Sequence, residues 1–476
     1  MIKKTKVTSS FKWSLLSQLT RQVMQFVTTA ILARLLSPSD FGLLGMASIV
    51  IGFVGLFMDL GTSAAVIQKK NISDSFLYSV FWMNVGFGFL AMLTLFSLSP
   101  LVASFYKEPK LTAILQVLSI TFLISGLGIL QKSLLERNLE FNKLAKIEII
   151  AVVIGSILGI TLAILKFGVW SLISQSLTGV CVTTLMLWFS QRWSPRLIFH
   201  WREISLVSNY SLNLTGFTIF NYFIRNADYL LIGKYLGSED LGHYTLAYRL
   251  MLYPLQNISA VIGRVMFPVL CKIQDDNLQF RRVYLRITSC IALMAFPIMA
   301  GMWVIAEPLI ITIFGWEWQP VIPLLMILAP VGLLQGLGTT VGTIYQAKGR
   351  TDWMLRWGIF AGTLVMLAFV IGLQWGIIGV AASYTVASLI LTYPGFAIPF
   401  RLIQLSIIDY LSVVWRPFLL SFVMLILLIG IKLLLPVDFN RGWELVVLMS
   451  SGLIIYPTIN FLINPNQIKE LFNLLH

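Results

Sequence analysis

The sequence predicts an all-α polytopic membrane protein of about 14 transmembrane helices, built as two parallel six-helix lobes followed by two C-terminal helices. Three observations predict it. Hydrophobic residues make up 58% of the 476-residue chain and charged residues only 11%, whereas a soluble domain carries about 25% charge. The apolar residues gather into runs of the length, about 20 residues, that a hydrocarbon core of about 30 Å requires. A segment near residue 33 recurs 200 positions later.

The 34 Lys and Arg outnumber the 20 Asp and Glu, giving a net charge of +14. In a soluble domain that excess would suggest nucleic acid. Here the cations are strung singly or in short groups between apolar runs, the pattern by which a polytopic chain keeps its basic loops cytoplasmic. Membrane lipids are thus the expected surroundings, and no nucleic-acid partner is implied. Cys181, Cys271 and Cys290 have no zinc-ligand spacing and read as packing residues. Lys3, Lys4, Lys6 and Lys12 precede an apolar stretch that contains Arg21 and runs to about Leu36 without a small-residue cleavage site, so it reads as a retained first helix.

Apolar windows place the helices at about 12–36, 41–62, 76–98, 112–131, 147–165, 168–190, 207–233, 243–267, 287–306, 321–345, 357–374, 376–397, 411–435 and 445–462. With the amino terminus inside, the cytoplasmic connections and termini hold 22 Lys and Arg. The opposite side holds 5: Lys107, Lys110, Lys166, Lys234 and Arg441. That asymmetry puts both termini in the cytoplasm. Every connection is too short for a soluble catalytic domain.

The repeat aligns Ala33–Ala47, ARLLSPSDFGLLGMA, with Gly233–Ala247, GKYLGSEDLGHYTLA. Each copy lies at a turn, between helices 1 and 2 and between helices 7 and 8. Six helices separate the copies, so the halves share one topology, an arrangement found in transporters. Turn chemistry alone would account for Asp40 and Gly42, less easily for the rest. The lobes are expected at 1–200 and 201–400, with residues 401–476 forming two additional helices and a short cytoplasmic tail.

An Arg at mid-span costs about 2.5 to 3.5 kcal/mol on insertion scales, which makes every deep charge a functional candidate. On helix 1, Ser14, Gln18, Arg21, Gln25 and Thr28 form one polar stripe. It either faces a wet cavity or is bonded to a neighbouring helix. Helix 7 carries a matching stripe of Ser211, Thr215, Thr218, Asn221, Arg225 and Asp228, whose last two members are spaced to pair on one face. Asp228 is either a structural partner of Arg225 or the group that exchanges a proton or sodium ion. Helix 8 adds Arg249, Tyr253 and Gln256, with Pro254 expected to kink it.

These residues give the expected site. Arg21, Arg225 and Arg249 are the substrate-binding cations, Gln18, Gln25, Asn221, Tyr253 and Gln256 the polar lining, and Asp228 the candidate for ion coupling. A cationic cleft suits an anionic substrate such as a diphosphate, because guanidinium forks bind phosphate oxygens bidentately. Arg264, Arg34 and Lys12 lie near helix ends and can snorkel. Asp59 and Glu148 read as capping or gate contacts. Gly332, Gly336, Gly338 and Gly342 with Pro330 give helix 10 a face for close approach or bending. Residues 134–146, LLERNLEFNKLAK, read as a cytoplasmic extension of helix 4 with Glu136, Arg137, Glu140 and Lys143 outward.

The enzyme signals are missing from the sequence. His200, His243 and His476 are scattered, and no P-loop, HExxH or GxSxG motif occurs. Asp275 and Asp276 read as a solvated pair. No catalytic residue, metal site or cofactor is expected, apart from coupling to H⁺ or Na⁺.

Arg21, Gln22 and Phe26, then LARLLSPSDFGLLGMA from Leu32, DLG at Asp59 and AAVIQK at Ala64 carry a family resemblance, joined by ERNLEF at Glu136, RNADYLLIGKYLG at Arg225 and YQAKGR at Tyr345. From about residue 5 to residue 400 the chain resembles the polysaccharide flippases of the multidrug/oligosaccharidyl-lipid/polysaccharide (MOP) exporter superfamily, most closely the branch acting in exopolysaccharide, O-antigen or colanic-acid type synthesis. The resemblance implies transfer of undecaprenyl-diphosphate-linked oligosaccharide from the cytoplasmic to the periplasmic leaflet of a bacterial inner membrane. It also implies alternating access, ion coupling, and polysaccharide polymerase or export machinery nearby. A cation-coupled small-molecule or drug exporter of the same superfamily is the alternative. A membrane glycosyltransferase is disfavoured by the lack of a large periplasmic loop with paired acids.

The topology is open to test. In a background without the three cysteines, a cysteine at Lys107 should react with an impermeant maleimide in intact cells, and one at Asp275 only after permeabilisation. Labelling of Asp275→Cys in intact cells would invert the orientation.

Overall fold

The computed structural model describes residues 4–58, 62–69, 72–191, 193–200, 221–436 and 438–463, and among them every regular element is helical. The first helices are α1 (Lys4–Leu35), α2 (Pro38–Gly55), α3 (Thr62–Gln68), α4 (Asp74–Tyr106), α5 (Lys110–Arg137), α6 (Phe141–Ile164) and α7 (Val169–Ser190). After a helical segment at 221–225 come α8 (Ala227–Tyr235), α9 (Ser238–Lys272), α10 (Asn277–Leu309), α11 (Val321–Gly338), α12 (Val341–Ala347), α13 (Thr351–Gly372), α14 (Gly376–Ile403), α15 (Ile407–Leu434) and α16 (Arg441–Ile463).

Ten described stretches are long and apolar enough to cross a bilayer. One of them, Thr351–Ile403, contains both α13 and α14, separated by a 3-10 turn and by Gly376 at φ +67°. The chain is a multi-pass membrane protein. Only helices that satisfy their own backbone can stand in lipid, so the ends carry the remaining polar groups. Ser37 and Asp40 form a reciprocal capping box at the start of α2, with Pro38 in its first turn. The Asp276 carboxylate accepts from the amides of Leu278 and Gln279 to open α10.

The chain divides into two compact units, Met1–Gly242 and His243–His476, and α9 begins in the first and runs into the second. In the first unit, α4 and α5 form a hairpin whose backbones touch at two glycines. A Cβ on Gly88 would lie 2.7 Å from the Phe122 carbonyl oxygen, and one on Gly126 would lie 2.7 Å from that of Asn84. Without a hydrophobic drive between helices in lipid, such close approach supplies the attraction. At one end of this hairpin Phe81 packs on Trp188 and Trp193, and the Trp82 indole donates to the Arg196 carbonyl at 2.8 Å.

The two repeat copies meet. A Cβ on Gly42 would lie 1.6 Å from the Ser238 carbonyl oxygen, and one on Gly242 would lie 1.9 Å from that of Pro38. Pro38 and Ser238 are equivalent in the repeat, as are Gly42 and Gly242, so the contact is reciprocal. The Ser39 and Ser238 hydroxyls share a hydrogen bond of 2.9 Å beside it. Asp40 and Gly42 therefore have different jobs: Asp40 caps its helix, while Gly42 is needed for the contact.

In the second unit α10 is the central helix, packed by α11, α15 and α16. The two additional C-terminal helices thus join this unit through α10. Leu293 and Val304 of α10 meet Leu420, Met424 and Leu428 of α15 and Leu448 and Tyr456 of α16 in one apolar cluster. Beyond α10 a π-helical turn, Ile310–Phe314, leads to Gly315 at φ +104° and the fully buried Trp318. The small-residue face of α11 is used in part. Gly332 abuts Met299 and Met251, Gly336 abuts Leu255 and Ala295, and Gly338 has open space. The helix ends there, and Thr340 beyond it shares a 3.1 Å hydrogen bond with Tyr284.

Two expectations change. The unbroken helix expected at 207–233 has a break at Asn226, whose side-chain amide donates back to the Tyr222 carbonyl; residues 201–220, with Ser211, Thr215 and Thr218, lie outside the described residues. Residues 134–146 extend helix 4 only as far as Arg137: the chain turns at Leu139, φ +56°, and residues 141–146 belong to α6. Arg137 folds back there to donate to the Val66 and Lys69 carbonyls at 2.6 Å, completing the end of α3.

Gly42→Ala should lower the thermal midpoint of the purified protein, by the equivalent of about 1–3 kcal/mol for overpacking a closed contact. Gly86→Ala, on α4 with nothing within 4 Å of an added Cβ, should be neutral. Equal midpoints for both variants would refute the contact.

Candidate functional site

The stripe on α1 is partly bound to α6 and partly open. Arg21 Nη1 lies 3.0 Å from Glu148 Oε2, and Thr28 Oγ1 lies 2.8 Å from the Ser156 hydroxyl. Arg21 and Thr28 are seven residues apart and their partners eight, so both contacts fall on one face of each helix and the helices run parallel. The Arg21 and Glu148 side chains remain 39% and 31% exposed. Gln25 is exposed and Gln18 half-buried on the same stripe. Val23, Val27 and Ile31 form an exposed apolar face on the other side of α1. Glu148 is eight residues into α6 and pairs with Arg21 instead of capping a helix.

Arg225 and Asp228 fall on either side of the Asn226 break, and their environments differ. Arg225 is exposed, whereas Asp228 is 2% exposed. Asp228 stands in the first turn of α8, where its Oδ1 accepts from the Tyr229 amide at 2.9 Å. A carboxylate at a helix N-terminus is stabilised by the helix dipole, so Asp228 has a structural role whether or not it exchanges an ion. The segment before the break is fastened to α2: the Tyr222 hydroxyl donates to the Ile49 carbonyl at 2.6 Å, and Phe223 packs on Phe53. Asn221 is half-buried beside it.

Arg249 and Tyr253 are half-buried on α9, and the Gln256 side chain lies outside the described residues. Next to Arg249 in the chain, at Tyr248, is a polar group that the sequence reading missed. Gln335 of α11 donates from Nε2 to the Tyr384 hydroxyl of α14 at 2.8 Å and to the Tyr248 hydroxyl at 3.4 Å, and Tyr248 stacks on Tyr244. Arg21 and Arg225 thus belong to the first unit and Arg249 to the second.

A second group of charges was also missed. Lys432 of α15 and Arg441 of α16 each lie 3.0 Å from the Glu307 carboxylate of α10, and Arg441 also meets Glu444 at 2.8 Å. Lys432 approaches Glu444 at 3.8 Å, and the Glu444 side chain is 5% exposed. Two acids and two bases neutralise one another and tie the added helices to α10. Each lies near a helix end, where snorkelling is the ordinary reading, and only the fold brings them together.

Among the described residues no group of His, Cys, Asp and Glu is arranged to hold a metal ion. The site therefore offers guanidinium donors, amides and phenols in a membrane-spanning helical fold. Residues 31–323 match the sequence model of a family described as polysaccharide biosynthesis protein. The chain belongs to this family.

Named relatives match most of its length. It is 30% identical to the lipopolysaccharide biosynthesis protein WzxC of Escherichia coli K12 over 87% of this chain and 85% of that one. It is 30% identical to the teichuronic acid biosynthesis protein TuaB of Bacillus subtilis over 90% and 89%. Among solved structures, the lipid II flippase MurJ in an inward closed conformation matches 95% of this chain and 99% of its own with a TM-score of 0.74 at 16% identity. An inward-facing MATE family transporter of the MOP superfamily matches 80% and 94% with a TM-score of 0.65 at 17% identity. The family member described here has the MOP fold that its sequence resembles.

Removing one acid from the charged quartet should leave two cations short of partners. Glu444→Ala should cost about 2 kcal/mol, below the usual figure for breaking a buried pair because Lys432 and Arg441 keep contact with solvent. The fall should appear as a lower thermal midpoint in detergent, and an unchanged midpoint would show that the quartet is not a tie.

Proposed function

We propose that this family member flips undecaprenyl-diphosphate-linked oligosaccharide from the cytoplasmic to the periplasmic leaflet of a bacterial inner membrane, both termini being cytoplasmic. Arg21 carries the reading. It is a guanidinium in the middle of the 32-residue helix α1, which this reading places across the bilayer, and it is held at 3.0 Å by Glu148 yet part-exposed beside the open Gln25. An intramembrane cation kept accessible is suited to an anionic headgroup.

In this reading Arg21, Arg225 and Arg249 take the diphosphate in turn as access alternates. Gln18, Gln25, Asn221, Tyr253 and Gln256 bond the sugar, which travels in water, while the polyprenyl chain stays in lipid. Arg forks bind phosphate at two oxygens at once and keep their charge at every physiological pH. The protein performs no bond chemistry. Asp228 is the proposed site of proton or sodium coupling, and polymerase or export machinery the proposed neighbour. The names of the relatives support this reading: WzxC is a lipopolysaccharide biosynthesis protein, TuaB a teichuronic acid biosynthesis protein, and MurJ a lipid II flippase. The MATE likeness favours small-molecule export as the second reading, but drug cations would meet three arginines there.

The test is deletion in the host, followed by assay of the leaflet on which diphosphate-linked oligosaccharide accumulates. Accumulation on the cytoplasmic leaflet, reversed by wild type and not by folded Arg21→Ala, is expected. Unchanged lipid-linked sugars and a changed drug tolerance, in a host with no redundant flippase, would favour the exporter.

A further inference from the structure

A cation deep in the bilayer, where the flippase reading places Arg21 of α1, poses a problem for an empty transporter. Between cargoes the guanidinium has no phosphate beside it, and an unaccompanied Arg at mid-span costs about 2.5 to 3.5 kcal/mol. Among the described residues the ion-pair partner of Arg21 is Glu148, at 3.0 Å. That contact engages one nitrogen of a group with five N–H donors, leaving the rest of the fork for other oxygens. The Thr28–Ser156 contact two turns along keeps α1 in register on α6, so the carboxylate is held beside the guanidinium. Both side chains remain part-exposed, so a second anion has room to approach.

We infer that Glu148 is the resident counter-ion of Arg21, displaced by the phosphate of the substrate when it binds and restored when it leaves. This rests on the flippase reading above and adds to it the residue that limits how tightly the diphosphate is held. Two anions compete for one guanidinium. Binding must loosen the Arg21–Glu148 pair, and release re-forms it, so the carboxylate weakens the bound state and assists discharge. A transporter lacking it would grip its cargo and turn over slowly. Glu148 is thus a positioning residue that acts through Arg21.

The experiment uses the purified full-length protein in nanodiscs, with undecaprenyl diphosphate as the probe, beside export assays in cells. Glu148→Gln should bind the probe about tenfold more tightly than wild type, a change of about 1.4 kcal/mol, while exporting less. Glu148→Asp, which keeps the charge but draws it back by one methylene, should bind more tightly than wild type by a smaller factor. The double variant Arg21→Glu with Glu148→Arg keeps an ion pair between the helices, and it should fold without exporting.

Unchanged or weaker binding in Glu148→Gln would overturn the inference, as would export restored by the charge swap, which would make the pair a structural tie. If Glu148→Gln does not fold, Glu148→Asp decides by the same criterion: tighter binding supports the inference and equal binding overturns it. Wild type that binds no undecaprenyl diphosphate would overturn the flippase reading and this inference with it. Wild type that binds, with variants that bind equally, would overturn this inference alone.

Discussion

Hydrocarbon offers no hydrogen bonds and no screening, so the backbone polar groups of a segment that crosses it must find their partners within the protein. Most of what the structure does follows from that constraint. Every regular element among the described residues is helical, and helix ends are completed by Ser37 with Asp40, by Asp276 and by the reach of Arg137 to the carbonyls of α3. Charges appear with company: Arg21 with Glu148, and Lys432 and Arg441 with Glu307 and Glu444. Helices meet through bare Cα atoms where lipid would otherwise compete equally well for an apolar side chain.

The same constraint separates the two kinds of ion pair. The Glu307 quartet balances its own charge, and Glu444 is almost wholly enclosed, which suits a fixed joint between the added helices and α10. Arg21 and Glu148 form a single contact with much of each side chain accessible. A joint that must persist gains from redundancy, whereas a contact that must open in every cycle is better made once. The phenol and amide group of Tyr248, Gln335 and Tyr384 is a third case, neutral and mutually bonded, with Tyr248 next to Arg249 in the chain.

Apolar runs, the offset of 200 and the charge of Arg21 within a run are local or periodic signals that the sequence displays directly, and among the described residues ten stretches, against the fourteen expected, are long and apolar enough to cross a bilayer. The stripe on α1 could be read as well, but its two readings, wet cavity and helix glue, both apply, to Gln25 and to Thr28 respectively. What could not be read was partnership across the chain. Glu148 lies 127 residues from Arg21, and its place with Ser156 on one face of α6 becomes a signal only once α6 is known to lie along α1. The break at Asn226 was also missed, because a helix with polar residues on one face looks continuous by spacing alone. Asn226 bonding back to Tyr222 ends it locally.

The reciprocal contact of Pro38 with Gly242 and of Ser238 with Gly42 bears on how such a chain arose. Equivalent residues touching in exchanged roles is the signature of an isologous interface, the kind that two identical subunits make. A half-length ancestor with this turn would already have carried both sides of the contact and could have assembled as a pair before fusion. Joined in one chain, two such sides need no longer be identical: Asp240 and Gly242 stand where Asp40 and Gly42 do, while Ser238 stands in the place of Pro38, so the carbonyl bearers differ and the two bare carbons do not.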